Sequence, residues 1–205
     1  MANGVVLDDG ELEARWANAW HPGVIARRLA GVRTPWSVAA GWALDLFRGE
    51  QTRSHGDLEI AVPVAGFAEI RARFPGHAFD VASAGRVFFD AEADVLAVTH
   101  QTWLRDPATG DWRCDVFREP HDGGTWICRR DEGIRLPYDV IVERTADRIP
   151  FLAPEVVLLF KAKAVRPKDQ RDFEGVLPLL DPWRRGRLGE WLNRVHPGHC
   201  WLDAL

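Results

Sequence analysis

The spacing of apolar and polar positions divides the chain into stretches of helical and strand period. Leu12, Trp16, Ala19 and Trp20 recur at three- and four-residue intervals, which predicts helix across residues 9–31. Pro22 and Gly23 split that stretch, leaving a second helix over 24–29 whose Arg27 and Arg28 read as a solvated face. Residues 37–40 are a short apolar run, Gly41 a turn, and residues 42–48 return to helical spacing, closed by Gly49 as a left-handed C-terminal residue. HGDLEIAVP, residues 55–63, then alternates as a strand. Asp57, Glu59 and Ala61 share one face, and Leu58, Ile60 and Val62 share the other.

Further on, residues 64–74 read as a helix ended by Pro75-Gly76. HAFDVAS, GRVFFD and VLAVTH (77–83, 85–90 and 95–100) read as short β segments. Asp106 to Gly110 has turn composition, and the strand after it, WRCDVFR, puts Arg113, Asp115 and Phe117 on one face against Trp112, Cys114 and Val116. Residues 125–145 alternate as a hairpin with Asp131-Glu132-Gly133 at its turn, expected to extend the sheet. From Pro150 the period becomes helical. One helix starts at Pro154-Glu155 and is broken by Pro167, a second runs to Pro178, and a third covers 183–193 before Pro197-Gly198.

The length, 205 residues, suits one domain or a catalytic domain with a small helical companion, and 46 % hydrophobic residues suffice for a real core. A net charge of −4 gives no general pull toward nucleic acid or anionic membrane. Cys114, Cys128 and Cys200 are odd in number and lack C-x-x-C spacing, which argues against disulfides and for a reducing compartment. His196, His199 and Cys200 lack the fourth ligand of a zinc site. No run approaches the ~18 apolar residues of a membrane span, and no basic, apolar leader opens the chain. A cytoplasmic protein is expected.

The candidate chemistry gathers in residues 36–63. Two carboxylates on one strand face repel each other unless a cation lies between them, and hard oxygen ligands of this kind suit Mg²⁺ together with substrate phosphates. The turn at Gly41, leading into the helix at Trp42, offers backbone N–H groups to a phosphate. Arg53 and His55 flank the acidic strand, where the histidine either holds the loop or touches a phosphate. Asp90, Glu92 and Asp94 alternate as either an acidic rim for a cationic substrate or a solvated edge.

G-W-A-L-D-L-F-x-G-x-x-T-R-x-H-x-D-x-E, residues 41–59, resembles the polymerase-β-type nucleotidyltransferases, in particular their aminoglycoside 2''-adenylyltransferase-like branch. The resemblance continues more loosely through WRCDVF and LAPEVVLLFKAK to the region of Pro178. Ala39 and Ala40 stand where that family usually has glycines. The resemblance implies an α+β fold, a polymerase-β-like mixed sheet with flanking helices in residues 1–150, followed by a small C-terminal helical region in 151–205. It also implies Mg²⁺ on Asp57 and Glu59, with Asp115 as metal ligand or general base, although a salt bridge from Asp115 to Arg113 or Arg118 is the alternative. Gly41, Trp42, Arg53, His55, Lys161 and Lys168 would serve the nucleotide.

The reaction implied moves AMP from ATP to a hydroxyl of a small acceptor such as an amino-sugar, as in antibiotic resistance, with neither membrane nor nucleic acid as partner. Nucleotidyl transfer to a tRNA or protein, or nucleotide binding without turnover, are the alternatives. The two alanines favour the last of these and the carboxylate pair disfavours it.

Overall fold

The computed structural model describes residues 4–205. An acidic N-terminal helix, α1 (Asp9–Trp16), is fastened by a reciprocal capping box between Asp8 and Glu11. After α2 (Pro22–Arg28) come the elements of the candidate region: β1 (Ser37–Val38), α3 (Ala40–Arg48) and β2 (Glu59–Pro63). α4 (Phe67–Ala72), β3 (Ala78–Ser83), β4 (Arg86–Phe88), α5 (Ala93–Val98), β5 (Gln101–Arg105) and β6 (Trp112–Glu119) complete the first half. β7 (His121–Asp122), β8 (Thr125–Ile127), β9 (Arg135–Pro137), α6 (Tyr138–Ile141), β10 (Val142–Arg144) and β11 (Pro150–Leu152) lead to the closing helices α7 (Pro154–Lys161), α8 (Pro167–Val176) and α9 (Pro182–Val195).

Eight strands form one mixed sheet in the order β10-β11-β1-β2-β6-β5-β3-β4. β2 runs parallel to β6 and β1 parallel to β11, while the other pairings are antiparallel. This is the mixed sheet with flanking helices that the sequence led us to expect. Leu58, Ile60 and Val62 are fully buried, joining a single core cluster that extends from Ile25 to Trp201. α3 packs on α7 and α8. Glu155, completely buried in the first turn of α7, ion-pairs with Arg184 and Arg187 and so ties α7 to α9. A buried carboxylate needs such partners to remain charged.

Three expectations are corrected. VLAVTH is not a strand: Ala93–Val98 is helix α5, whose last turn gives Leu96 and Thr99 as acceptors to the buried Arg118. A continuous apolar run of four carries no period, so its type is set by its surroundings. The hairpin is present, Trp126 opposite Leu136, but it does not extend the main sheet. It forms a separate three-stranded sheet with β7, and only β10, beyond the one-turn helix α6, joins the edge of the large one. Finally, Pro150 opens a strand rather than a helix, because β11 pairs with β1 and β10 before α7 begins.

Candidate functional site

α3 starts with no side-chain cap. Ala39 is extended at φ −121°, and Ala40, the first helical residue, sits at φ +49°, a left-handed conformation that strains any residue with a Cβ. At Gly41 a side chain is sterically excluded: a Cβ there would lie 2.8 Å from the His55 ring and collide with the Arg53 guanidinium. Trp42 stacks on His55 with ring centroids 4.2 Å apart and donates from Nε1 to the Asp57 carbonyl at 3.1 Å. Buried Asp45, one turn on, accepts from Thr52 Oγ1 and pairs with His55 Nε2, both at 2.6 Å. Burial lowers the His55 pKa, although the Asp45 contact opposes it. Helix α3 therefore clasps the loop that carries Asp57, and Gly49, left-handed at φ +78°, lets the chain turn back into that loop.

The strand faces follow the predicted alternation. Asp57 and Glu59 line a cavity of about 670 Å³, and Glu59 is in register with Asp115 on the neighbouring parallel strand. Burial, then Asp57 and Asp115, push the Glu59 carboxyl well above the usual carboxylate range. Asp115 is 2 % exposed. Its Oδ2 accepts from Gln101 Nε2 at 2.5 Å and Trp103 Nε1 at 3.1 Å, while its Oδ1 has no partner. Burial pushes Asp115 up to about 7, against those two hydrogen bonds. The salt-bridge alternative does not hold, since Arg113 pairs with Asp106 and Asp111 and Arg118 turns to Thr102.

These groups fit a divalent cation. Among the described residues no cation pairs with Asp57, Glu59 or Asp115, and a buried carboxylate oxygen is left bare beside two other acids. Among the described residues no group of three or more His, Cys, Asp or Glu stands ready to hold one ion; Mg²⁺ commonly takes one or two protein carboxylates and completes its shell from substrate phosphates.

The rest of the lining is cationic, and Lys161 and Lys168 lie near enough to Glu59 to oppose the upward shift of its carboxyl. Eight Lys or Arg face four Asp or Glu around the cavity, the inverse of the whole chain's balance. Arg53 forks onto Asp172 at 3.1 and 3.2 Å, and Lys161 Nζ sits between Asp169 and Asp172 at 2.8 and 2.9 Å. Among the described residues Lys163, Lys168 and Arg171 have no carboxylate partner.

The cavity thus gathers Gly41, Arg53, His55, Asp57, Glu59, Lys161 and Lys168. Two expected residues lie behind its wall. Trp42 is buried under His55 and acts on the loop, while Asp115 stands one strand back from Glu59. Sequence reasoning missed Arg129, Arg130, Lys163, Arg166 and Arg171, which reach the cavity from the hairpin, the α7–α8 connection and, for Arg171, α8 itself. It also missed Asp45. An acid inside an otherwise apolar helix, followed by Thr and His in the next loop, was the available signal. Asp90, Glu92 and Asp94 take no part in the cavity, and Asp90 pairs with Arg105 at 3.0 Å.

A family profile described as aminoglycoside-2''-adenylyltransferase matches residues 24–101, under half of the chain. The resemblance read from the signature is borne out. The matched segment includes α3, its clasped loop and β2, while Asp115, Lys161 and Lys168 lie outside it. No curated protein sequence matches the chain. Among solved structures, the lincosamide antibiotic adenylyltransferase LnuA bound to lincomycin is 17 % identical with a TM-score of 0.55, covering 80 % of this chain and 99 % of its own. ANT(2'')-Ia in complex with adenylyl-2''-tobramycin is 13 % identical, with a TM-score of 0.55 and coverages of 84 % and 97 %. The solution structure of the same antibiotic-resistance factor gives 16 %, 0.53, 82 % and 88 %. The chain has the nucleotidyltransferase fold.

Proposed function

We propose that this protein transfers a nucleoside monophosphate, AMP from ATP, to a hydroxyl of a small-molecule acceptor. The observation that carries the reading is the cavity itself: adjoining carboxylates that no cation bonds directly, within a lining that carries an excess of cations. Its volume is that of a small-ligand site, which favours a compact acceptor over a macromolecule.

Gly41 and the uncapped start of α3 would receive phosphate oxygens on backbone N–H groups, and Lys168 and Arg171 would offset the charge of the leaving pyrophosphate. Asp57 and Glu59 would hold Mg²⁺, which supplies charge neutralisation at the phosphates. Asp115, whose bare Oδ1 lies one strand back from Glu59, would take the proton from an acceptor hydroxyl brought to that oxygen. The hydroxyl oxygen then bonds to the α-phosphorus as the bond to pyrophosphate breaks. Dependence on ATP accords with a cytoplasmic reaction.

The test is pyrophosphate release from ATP and Mg²⁺ with a panel of hydroxylated acceptors. Asp57→Asn with Glu59→Gln should abolish release while the circular-dichroism spectrum stays unchanged. Release at the parental rate by the folded double variant would refute the reading.

A further inference from the structure

The face of β6 that carries Asp115 continues away from the carboxylates. Phe117 follows opposite Ala61, and Glu119 opposite Pro63. At ~3.3 Å per residue, Glu119 lies about 13 Å along the strand from Asp115. Both Phe117 and Glu119 line the cavity. Arg129 joins them, its guanidinium 5.4 Å from the Phe117 ring, 4.4 Å from Phe160 and bonded to Glu119 Oε1 at 2.8 Å. Tyr138 also lines the cavity, within electrostatic reach of Glu119. Two polar atoms are left over. Glu119, 4 % exposed, has no close donor at Oε2, although the Trp126 side chain lies near enough to stabilise its carboxylate, and the buried Tyr138 Oη has no partner either.

The charges of this half exclude an ammonium-rich ligand. Four acids line the cavity, and Asp57 and Glu59 belong to its phosphate end. Asp169 is held by Lys161 and Arg166, and Glu119 by Arg129. Away from that end, no lining carboxylate is without a cationic partner already. Arg130 adds a positive charge without a carboxylate partner, its Nη groups donating to the Leu159 and Phe160 carbonyls at 2.9 and 2.8 Å. The acidic run at Asp90 lies outside the cavity.

The geometry points to an uncharged, ring-shaped hydroxyl compound with an apolar face, of glycoside type, as the acceptor. Its ring rests on Phe117, Phe160 and Tyr138, with hydroxyls on Glu119 Oε2 and Tyr138 Oη. This deepens the transferase reading and rests on it for the word acceptor, though not for the binding itself.

Calorimetric titration of the full chain without nucleotide tests it, with p-nitrophenyl β-D-glucopyranoside as the neutral probe and tobramycin as the polycationic one. The glycoside should bind about tenfold or more tightly than tobramycin, because like charges across a site oppose association. Tyr138→Phe, which removes only a hydroxyl and keeps the wall, should weaken glycoside binding about 3- to 10-fold and leave ATP binding unchanged. Glu119→Gln should also weaken the glycoside without improving tobramycin. Tighter binding of tobramycin, binding of neither probe, or an unaltered Tyr138→Phe would each overturn the inference. Glycoside binding without pyrophosphate release from ATP would instead sink the transferase reading and leave this subsite standing.

Discussion

Asp115→Asn should make the metal-free protein more stable as the solution becomes alkaline. The folded carboxyl titrates at about 7, against ~3.9 in an unfolded chain. Between those values the folded protein retains a proton that the unfolded chain has released, so its stability falls as pH rises and levels off above about 7. Three units at ~1.36 kcal/mol each set an upper bound of about 4 kcal/mol for this loss. An asparagine cannot ionise and escapes it. The amide also fits the site: its oxygen accepts from Gln101 and Trp103, and its NH₂ takes the place of the bare Oδ1 beside Asp57 and Glu59. The gap between variant and parent should therefore widen from about pH 4 to pH 7 and reach ~2–4 kcal/mol by pH 8. At ~2–4 °C per kcal/mol in a chain of this size, the variant should melt at least about 4 °C higher there. Mg²⁺ in excess should narrow the gap, because a cation held by Asp57 and Glu59 favours the ionised carboxylate of the parent and finds no charge on the variant's amide. Thermal melts across this range, with chelator and then with Mg²⁺, are the assay. A gap that does not change with pH would refute the argument. Turnover should fall ~10²–10⁴-fold in the same variant if Asp115 is the base.

Ala40→Gly should stabilise the protein, because relief of the left-handed alanine, ~1–2 kcal/mol, exceeds the ~0.5–1 kcal/mol that glycine adds to unfolded freedom. Ala39→Gly, at φ −121°, gains no such relief and should only destabilise, so equal melting temperatures for the two variants would count against strain at Ala40. Gly41→Ala should cost ~1–3 kcal/mol by forcing His55 and Arg53 apart from α3. Urea unfolding reads that loss directly, and an unchanged midpoint would mean that the loop is not clasped as described.

Much of the site is readable from the chain because it follows short-range rules. The alternation through Asp57, Glu59 and Ala61 assigns their face, and Gly49 stops α3 by the conformation it alone adopts cheaply. Partners distant in sequence leave no such mark. Nothing local to Lys161 says that its ammonium will be shared by Asp169 and Asp172, nor does Arg53 announce Asp172 more than a hundred residues away. Helix α5 and the separate small sheet were illegible for a related reason, since short apolar runs take their type from the surface they cover. The same applies to Phe117 and Glu119, whose faces could be read but not the cavity they share.

The link from Lys161 to Asp169 and Asp172 changes what arrival of a phosphate at that lysine would mean. Its ammonium already has two anionic oxygens within 2.9 Å, so a phosphate oxygen taking its third N–H would meet a positive charge that is already offset. The net attraction for a polyphosphate then falls to the lining cations that, among the described residues, have no carboxylate to release, Arg130, Lys163, Lys168 and Arg171. Two acids on α8 thereby fix Lys161 and Arg53 in place and offset their charge before any nucleotide arrives.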